Sequence, residues 1–328
     1  MYTIGVVLPN TKLFGGVRRF FELGEHFISH GHQMIILTPE GEAPDWFNYK
    51  STVDIISNLD QYHFSVLFIT EIKFLNELLA GNATLKVFYH ILESEKIHDV
   101  LKHPEIKIFA NSANMALHDK KKYGIETVVQ QGGVNLPSTI KDFSKDDDPF
   151  VVMCFGRLSR KKKGTMIVVK AAERIYKQGY KIKLLLFDTP TDEKSKKAIE
   201  DFKTIVSYEF VLNHPVADNE SLFKRASVFV SAEKRAGWSN ASAEALSCGI
   251  PLIATLSGTR NFLIDNETGL VVWRNTFSIA RALKKMIKDK ELRMKLSVNG
   301  RKKIEEFSWT NLAVSILNYL DTTLKQAE

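Results

Sequence analysis

Arg157 stands just past an apolar, strand-like run at 150–155, separated from it by Gly156, and the basic stretch 160–163 and Gly164 follow before a helix-patterned segment. An arginine at the carboxyl end of a strand can fork onto two phosphate oxygens, and a lysine one turn later adds a point charge on the same anion. Three adjacent lysines leave both Lys163 and Lys162 open for that second role. Residues 231–251 repeat the pattern: strand, loop, helix, then Gly249-Ile250-Pro251 and another strand. Gly237, Trp238, Ser239 and Asn240 occupy this loop, and Glu244 falls one turn inside the helix, where a carboxylate can accept two hydrogen bonds from a cis-diol. A further loop with Gly258 and Thr259 follows the next strand, toward the same edge. Near the amino terminus, Gly15-Gly16 sits between a strand and a helix, so bare backbone can approach a ligand and helix N–H groups can face a phosphate. His90 ends an apolar strand, whereas His26, His30 and His32 read as surface positions.

These residues need a scaffold that delivers strand ends to a common edge. Apolar runs at 4–8, 33–37, 65–69, 85–89, 106–110 and 127–130 read as strands, and a helix with three- and four-residue periodicity is expected over 17–30. The stretch 136–149, with Pro, Ser, Lys and the acidic triplet Asp146 to Asp148, reads as a linker. The pattern then restarts, with strands at 150–155, 182–187, 208–211, 228–231, 251–255 and 269–272. Helices are expected at 165–178, 193–206, 219–225, 240–247, 277–287 and 291–307, and a last one at 309–324. Strands alternating with helices twice over predict an α/β chain of two Rossmann-like, doubly wound parallel sheets, with ligands in a cleft between them.

Length supports two domains, since 328 residues exceed the size at which one core stops growing. A hydrophobic content of 44% with 25% charged residues is that of a globular protein and leaves no long disordered tract. The net charge of +7 suits anionic partners of a broad class: nucleotide phosphates, nucleic acid or an anionic lipid surface. The framed arginine and lysines favour phosphate binding, and a nucleic-acid partner is not the expectation. Two isolated cysteines, Cys154 and Cys248, exclude a disulfide framework or a metal cage and fit a cytoplasmic setting. The start MYTIGVVLP lacks a basic leader, and no window reaches the length of a spanning helix.

Together these segments resemble the retaining glycosyltransferases of family 4, which have the GT-B fold. GRLSRKKKG resembles that family's GRL…KG phosphate motif, and AEALSCGIPLIAT its EAxxxGxPVVAT block. FGGVRRF is similar to the Gly-Gly donor loop, and FANSANM to a strand ending in Ser. KVFYH resembles the strand ending in the active-site histidine, and QGGVN the turn closing the first domain. FSW with the final helix resembles the segment that crosses back onto the first domain. The resemblance implies an acceptor domain over 1–144 plus the helix 309–328, and a nucleotide-sugar donor domain over 145–308. It implies that Arg157 and Lys163 (or Lys162) take the diphosphate, Glu244 the ribose, Gly15 and Gly16 the phosphate and sugar, and His90 the donor sugar.

Two departures stand out. The family carries two glutamates eight positions apart, and the position matching the first is Ala236, with Glu233 three residues earlier. Phe187-Asp188-Thr189-Pro190 replaces a Gly-x-Gly turn. The expectation is a retaining, metal-independent transferase moving a hexose-type sugar from a UDP- or GDP-sugar to a glycan or lipid-linked acceptor, with no cofactor. The alternative is a non-catalytic nucleotide-sugar binding subunit. Arg18-Arg19 and Lys120 to Lys122 are the expected contacts of a peripheral approach to an anionic membrane.

Overall fold

A computed structural model describes residues 1–93, 96–143 and 147–325. The expected domain boundary at 144/145, Asp146 of the acidic triplet and the end of the expected final helix lie outside these residues. The chain divides into two compact units, Met1–Gly133 with Phe307–Glu328, and Val134–Glu306.

Unit 1 is built from β1 (Thr3–Val7), α1 (Gly15–Ser29), β2 (Gln33–Thr38), β3 (Thr52–Ile55), β4 (Phe64–Ile69), α2 (Leu75–Ala80), β5 (Ala83–His90), β6 (Lys107–Ala110), α3 (Ala113–Tyr123) and β7 (Val128–Val129). Its sheet runs β3-β2-β1-β4-β5-β6-β7 with every pairing parallel. Both faces of a parallel sheet are covered, so its central strands are continuously apolar. Val6, Val66, Phe68, Val87 and Tyr89 pack under α1 on one face, and Val7, Leu67, Ile69 and Phe88 fill the other. Gly132 and Gly133 adopt φ of +111° and +105°. A Cβ on Gly133 would lie 2.0 Å from the Trp309 ring, so this turn admits only glycine.

Unit 2 holds β8 (Phe150–Phe155), α4 (Thr165–Tyr176), β9 (Ile182–Asp188), α5 (Glu193–Glu200), β10 (Tyr208–Leu212), α6 (Asn219–Phe223), β11 (Val228–Ser231), α7 (Asn240–Ser247), β12 (Leu252–Ala254), β13 (Leu270–Val271), α8 (Thr276–Lys288) and α9 (Lys290–Ile304). The sheet order is β10-β9-β8-β11-β12-β13, again all parallel. The order reverses direction at β8, so β8 and β11 flank the switch point where such sheets take ligands. α10 (Trp309–Leu324) returns to unit 1, burying Trp309, Leu312, Ala313, Ile316 and Leu320 at helical spacing against the α1 core. No helix of the described residues is long and apolar enough to cross a membrane.

Candidate active site

The carboxyl ends of β8 and β11 gather the charged candidates of unit 2. Gly156 lets β8 leave the sheet hard against its neighbour, since a Cβ there would meet the Phe210 ring at 2.6 Å and Phe187 O at 3.0 Å. The register Phe155↔Phe187 then places Arg157 beside Asp188. Arg157 Nε donates to Asp188 Oδ1 at 2.7 Å and Nη2 to Thr189 O at 3.0 Å. Burial pushes the Asp188 carboxyl above the usual carboxylate range, against the lowering pull of Arg157. Its second oxygen is buried without a hydrogen-bond partner.

Residues 161–164 are laced onto the loop after β11. Lys234 N–H donates to Lys162 O at 2.9 Å, and Arg274 Nε donates to Ala232 O at 2.8 Å. Gly164, at φ +75°, would bring a Cβ within 2.2 Å of Ala232 O, so α4 can begin this close to β11 only from glycine. The lacing turns Lys163 inward and leaves Lys162 exposed. Lys163 Nζ donates to Glu233 Oε1 at 2.6 Å, and Glu233 Oε2 is buried without a hydrogen-bond partner. Lys163 and Arg157 share one aromatic ring, each with its charged centre 5.4 Å from the Phe155 centroid.

A narrow cavity between these groups is lined by Phe155, Lys163, Thr165, Glu233, Ser239 and Ala241, among others. Its free space is about 10 Å³, room for roughly one water, because the Lys163 ammonium and the Glu233 carboxylate close on each other. Thr165 opens α4, and Ser239 and Ala241 open α7. Neither helix has a side-chain cap or an acidic residue in its first turn, and the first turns of both line this one cavity.

The loop carrying Glu233 is held firmly. Thr255 Oγ1 donates to Glu233 O at 2.8 Å, Ala236 N to Ser257 Oγ at 2.8 Å, and Ser239 N to Gly258 O at 2.9 Å. Arg235 at φ +61° makes the turn between Glu233 and Ala236. Gly237 is half-buried in that loop, Trp238 stacks edgewise on Phe262 at 5.0 Å, and Asn240 starts α7. Thr259 is fully buried and its hydroxyl donates to Thr255 O, so it fastens the loop instead of facing a ligand. Glu244 is half-buried on α7 and does not line the Lys163 cavity.

In unit 1 the candidates are more enclosed. His90 is fully buried, with Nδ1 2.8 Å from Asp119 Oδ1 and Nε2 2.9 Å from Leu92 O. His90 keeps no exposed surface, so in this arrangement it does not open onto a ligand. Gly15 opens α1 at the surface, and Gly16 backs onto Ile91, whose Cδ1 would lie 2.4 Å from an added Cβ. Arg18 and Arg19 are also buried: Arg18 pairs with Glu22 at 3.0 Å and Arg19 donates to Tyr89 Oη at 3.1 Å. They cannot meet a membrane, and the expectation that they would is corrected by this burial. Lys120, Lys121 and Lys122 are exposed on α3, with Lys120 paired to Glu126 at 2.6 Å.

The family model described as "Glycosyl transferases group 1" matches residues 137–303, which span the whole switch-point arrangement. The chain belongs to that family. The capsular polysaccharide biosynthesis glycosyltransferase CapM of Staphylococcus aureus is 31% identical over 185 residues, 56% of this chain and 48% of CapM. The chain spans about half the length of the curated relatives it matches. Sucrose-phosphate synthase of Thermosynechococcus elongatus superposes over 100% of both chains with a TM-score of 0.80 and 15% identity. HepE of Anabaena, in complex with UDP-glucose, covers 98% of this chain and 100% of its own with a TM-score of 0.78 and 13% identity. Such likeness speaks for the fold, which is GT-B.

Two functional candidates escaped the sequence reading of roles. Glu233 lies three residues too early in the chain for the family's first glutamate, and the turn at Arg235 is what seats it on Lys163. Phe155 carried no polar signal at all. Among the described residues no group of three or more His, Cys, Asp or Glu could hold a metal ion.

Proposed function

We propose that the chain is a retaining glycosyltransferase of family 4 that moves a hexose-type sugar from a UDP- or GDP-sugar to a glycan or lipid-linked acceptor. One observation carries this reading: Lys163 and two uncapped helix N-termini converge on one cavity at a sheet switch point, with Arg157 across the Phe155 ring. That is a seat for a diphosphate. When the bond from the anomeric carbon to the diphosphate breaks, negative charge grows on the leaving oxygens, and fixed cations and N–H groups stabilise it without reorganising. These groups supply what a divalent cation otherwise would, so the transfer is metal-independent and uses no cofactor. The nucleotide-sugar is a co-substrate.

Arg157 and Lys163 hold the diphosphate, and Glu244 and the loop from Gly237 to Asn240 take the nucleoside side. Asp188 and Glu233 occupy the phosphate seats while the site is empty. On donor binding Glu233 releases Lys163, and its spare oxygen accepts from sugar hydroxyls. Unit 2 is the donor domain and unit 1 the acceptor domain. The UDP-glucose held by HepE supports UDP as the base carrier, and the name of CapM supports a polysaccharide product. Two free, buried cysteines support a cytoplasmic setting, and the basic excess a peripheral approach to an anionic membrane.

The test is a melting-temperature panel of UDP, GDP and their hexose conjugates, followed by turnover. A stabilising nucleotide raises the melting temperature by mass action. Lys163→Ala is expected to abolish that rise and to lower transfer by about 10²–10³-fold, the range for losing one fixed group at a developing oxyanion. A larger loss in Lys162→Ala would reverse the choice of lysine. Stabilisation without turnover on any acceptor would favour the non-catalytic binding subunit.

A further inference from the structure

A second arrangement on unit 2 takes no part in donor binding. α4 and α8 contribute to one core and turn their outer sides to solvent. At their amino-terminal ends three large apolar side chains stand in water: Trp273 at 82% exposure, Phe277 at 67% and Met166 at 41%. Single exposed apolar residues are ordinary, but these are framed by cations. The Arg174 guanidinium lies 4.2 Å from the Phe277 ring centroid. Trp273 N–H donates to Ser278 Oγ at 3.0 Å, which fixes Trp273 at the start of α8. The neighbouring Arg274 donates to Lys161 O, so the basic turn before α4 belongs to the same corner.

Charge on this face has one sign. Lys170 and Arg174 are exposed on α4 and Arg281 on α8. α8 contains four basic residues and no acidic one. The single acid of α4, Glu173, is turned onto the Thr204 hydroxyl at 2.9 Å. Trp273 projects from the surface with most of its ring in water. Its amphipathic ring suits the headgroup level of a bilayer, and basic residues beside it suit anionic lipids.

We propose that this face docks on an anionic bilayer, with Trp273 and Phe277 entering the headgroup region while Lys170, Arg174 and Arg281 meet lipid phosphates. The proposal rests on the membrane part of the functional reading and is independent of the donor chemistry. It moves the contact away from Arg18 and Arg19, which are buried.

The test is cosedimentation with phosphatidylcholine vesicles with and without phosphatidylglycerol. The unmodified protein should sediment only with the anionic vesicles, and its tryptophan emission should shift to shorter wavelength, a shift missing in W273F. The variants W273S/F277S and K170E/R174E/R281E should each lose at least about tenfold in partitioning, each cation near the surface being worth about fivefold. The melting temperature of both variants, and its rise with UDP, should stay as in the parent. If the parent binds and both variants bind equally well, this face is wrong although a membrane contact exists elsewhere. If the parent ignores anionic vesicles, the membrane reading itself falls. Retention on a polyglutamate resin that depends on Trp273, without vesicle binding, would assign the face to an acidic protein and overturn the proposal.

Discussion

Both units end their parallel sheets in charged side chains, yet the two ends are finished differently. In unit 1, His90 lies fully buried between Asp119 and Leu92 O, and Arg18 and Arg19 are enclosed with Glu22 and Tyr89. In unit 2, Arg157 and Lys163 are also paired with carboxylates, but the Lys163 side chain stays 37% exposed and Arg157 14%, whereas His90 and Asp119 are at 0%. Two uncapped helix N-termini face the second arrangement. Unmatched buried polar atoms occur at both ends, His90 Nδ1 and both Asp119 oxygens as well as Asp188 Oδ2 and Glu233 Oε2, so they do not tell the two apart. A charged residue at a strand end is therefore weak information alone; what separates the units is the access that solvent has to the paired cations.

The largest expected effect tests the closed side of this comparison. His90→Ala removes the 2.8 Å partner of Asp119, whose side chain is fully buried. Deleting one member of a buried polar pair leaves the other without its neighbour and costs about 1–3 kcal/mol. Urea unfolding should show that loss, while the nucleotide-induced rise in melting temperature persists. A stable variant with abolished sugar transfer would instead place His90 in the chemistry and remove the contrast between the units.

A medium effect tests the open side. Asp188 holds Arg157, and burial raises its carboxyl above the usual range near 4. A raised pKa means the proton is taken up on descending from neutral pH toward that range, before an ordinary carboxyl would take it. Protonation weakens the hold on Arg157, so UDP should bind several-fold more tightly as pH falls through this window. Asp188→Asn should bind more tightly at neutral pH, by about three- to tenfold, and show a flatter profile. Calorimetric titration at two pH values gives both numbers, and equal pH dependence in the two proteins would rule out Asp188 as the counter-charge.

Much of the fold could be read from the chain because buried parallel strands are continuous apolar runs, as at Phe150–Phe155 and Phe64–Ile69. β3 is silent in the sequence for the converse reason. It is a half-exposed edge strand carrying Asp54, with too little apolar pattern to show. α3 is silent too, since it buries only Met115 and Asp119 and ends in three lysines. In the site, adjacent lysines have the same chemistry, and what separates them is tertiary: Lys163 pairs with Glu233, while Lys162 offers its carbonyl to Lys234 N–H and stays exposed. The Arg157–Asp188 pair is legible in principle: opposite charges at the carboxyl ends of two neighbouring strands meet once their register is known.

The smallest effect concerns Ala236, where spacing calls for a glutamate and the chain has none. A Cβ on Gly258 would come within 2.9 Å of Ala236 Cβ, so position 236 backs closely onto that glycine. The carboxylate already at the cavity is that of Glu233, seated on Lys163. A glutamate added at 236 enters a site whose counter-charge is in place, and like charges at close range oppose each other. Ala236→Glu should therefore alter kcat/KM by less than about threefold, under 1 kcal/mol. Glu233→Gln should lower it further than that, and the double variant should recover part of the loss if either position can supply the carboxylate. A large gain from Ala236→Glu alone would mean that Glu233 only covers Lys163 in the empty site, and that the sugar-facing carboxylate is absent from this chain.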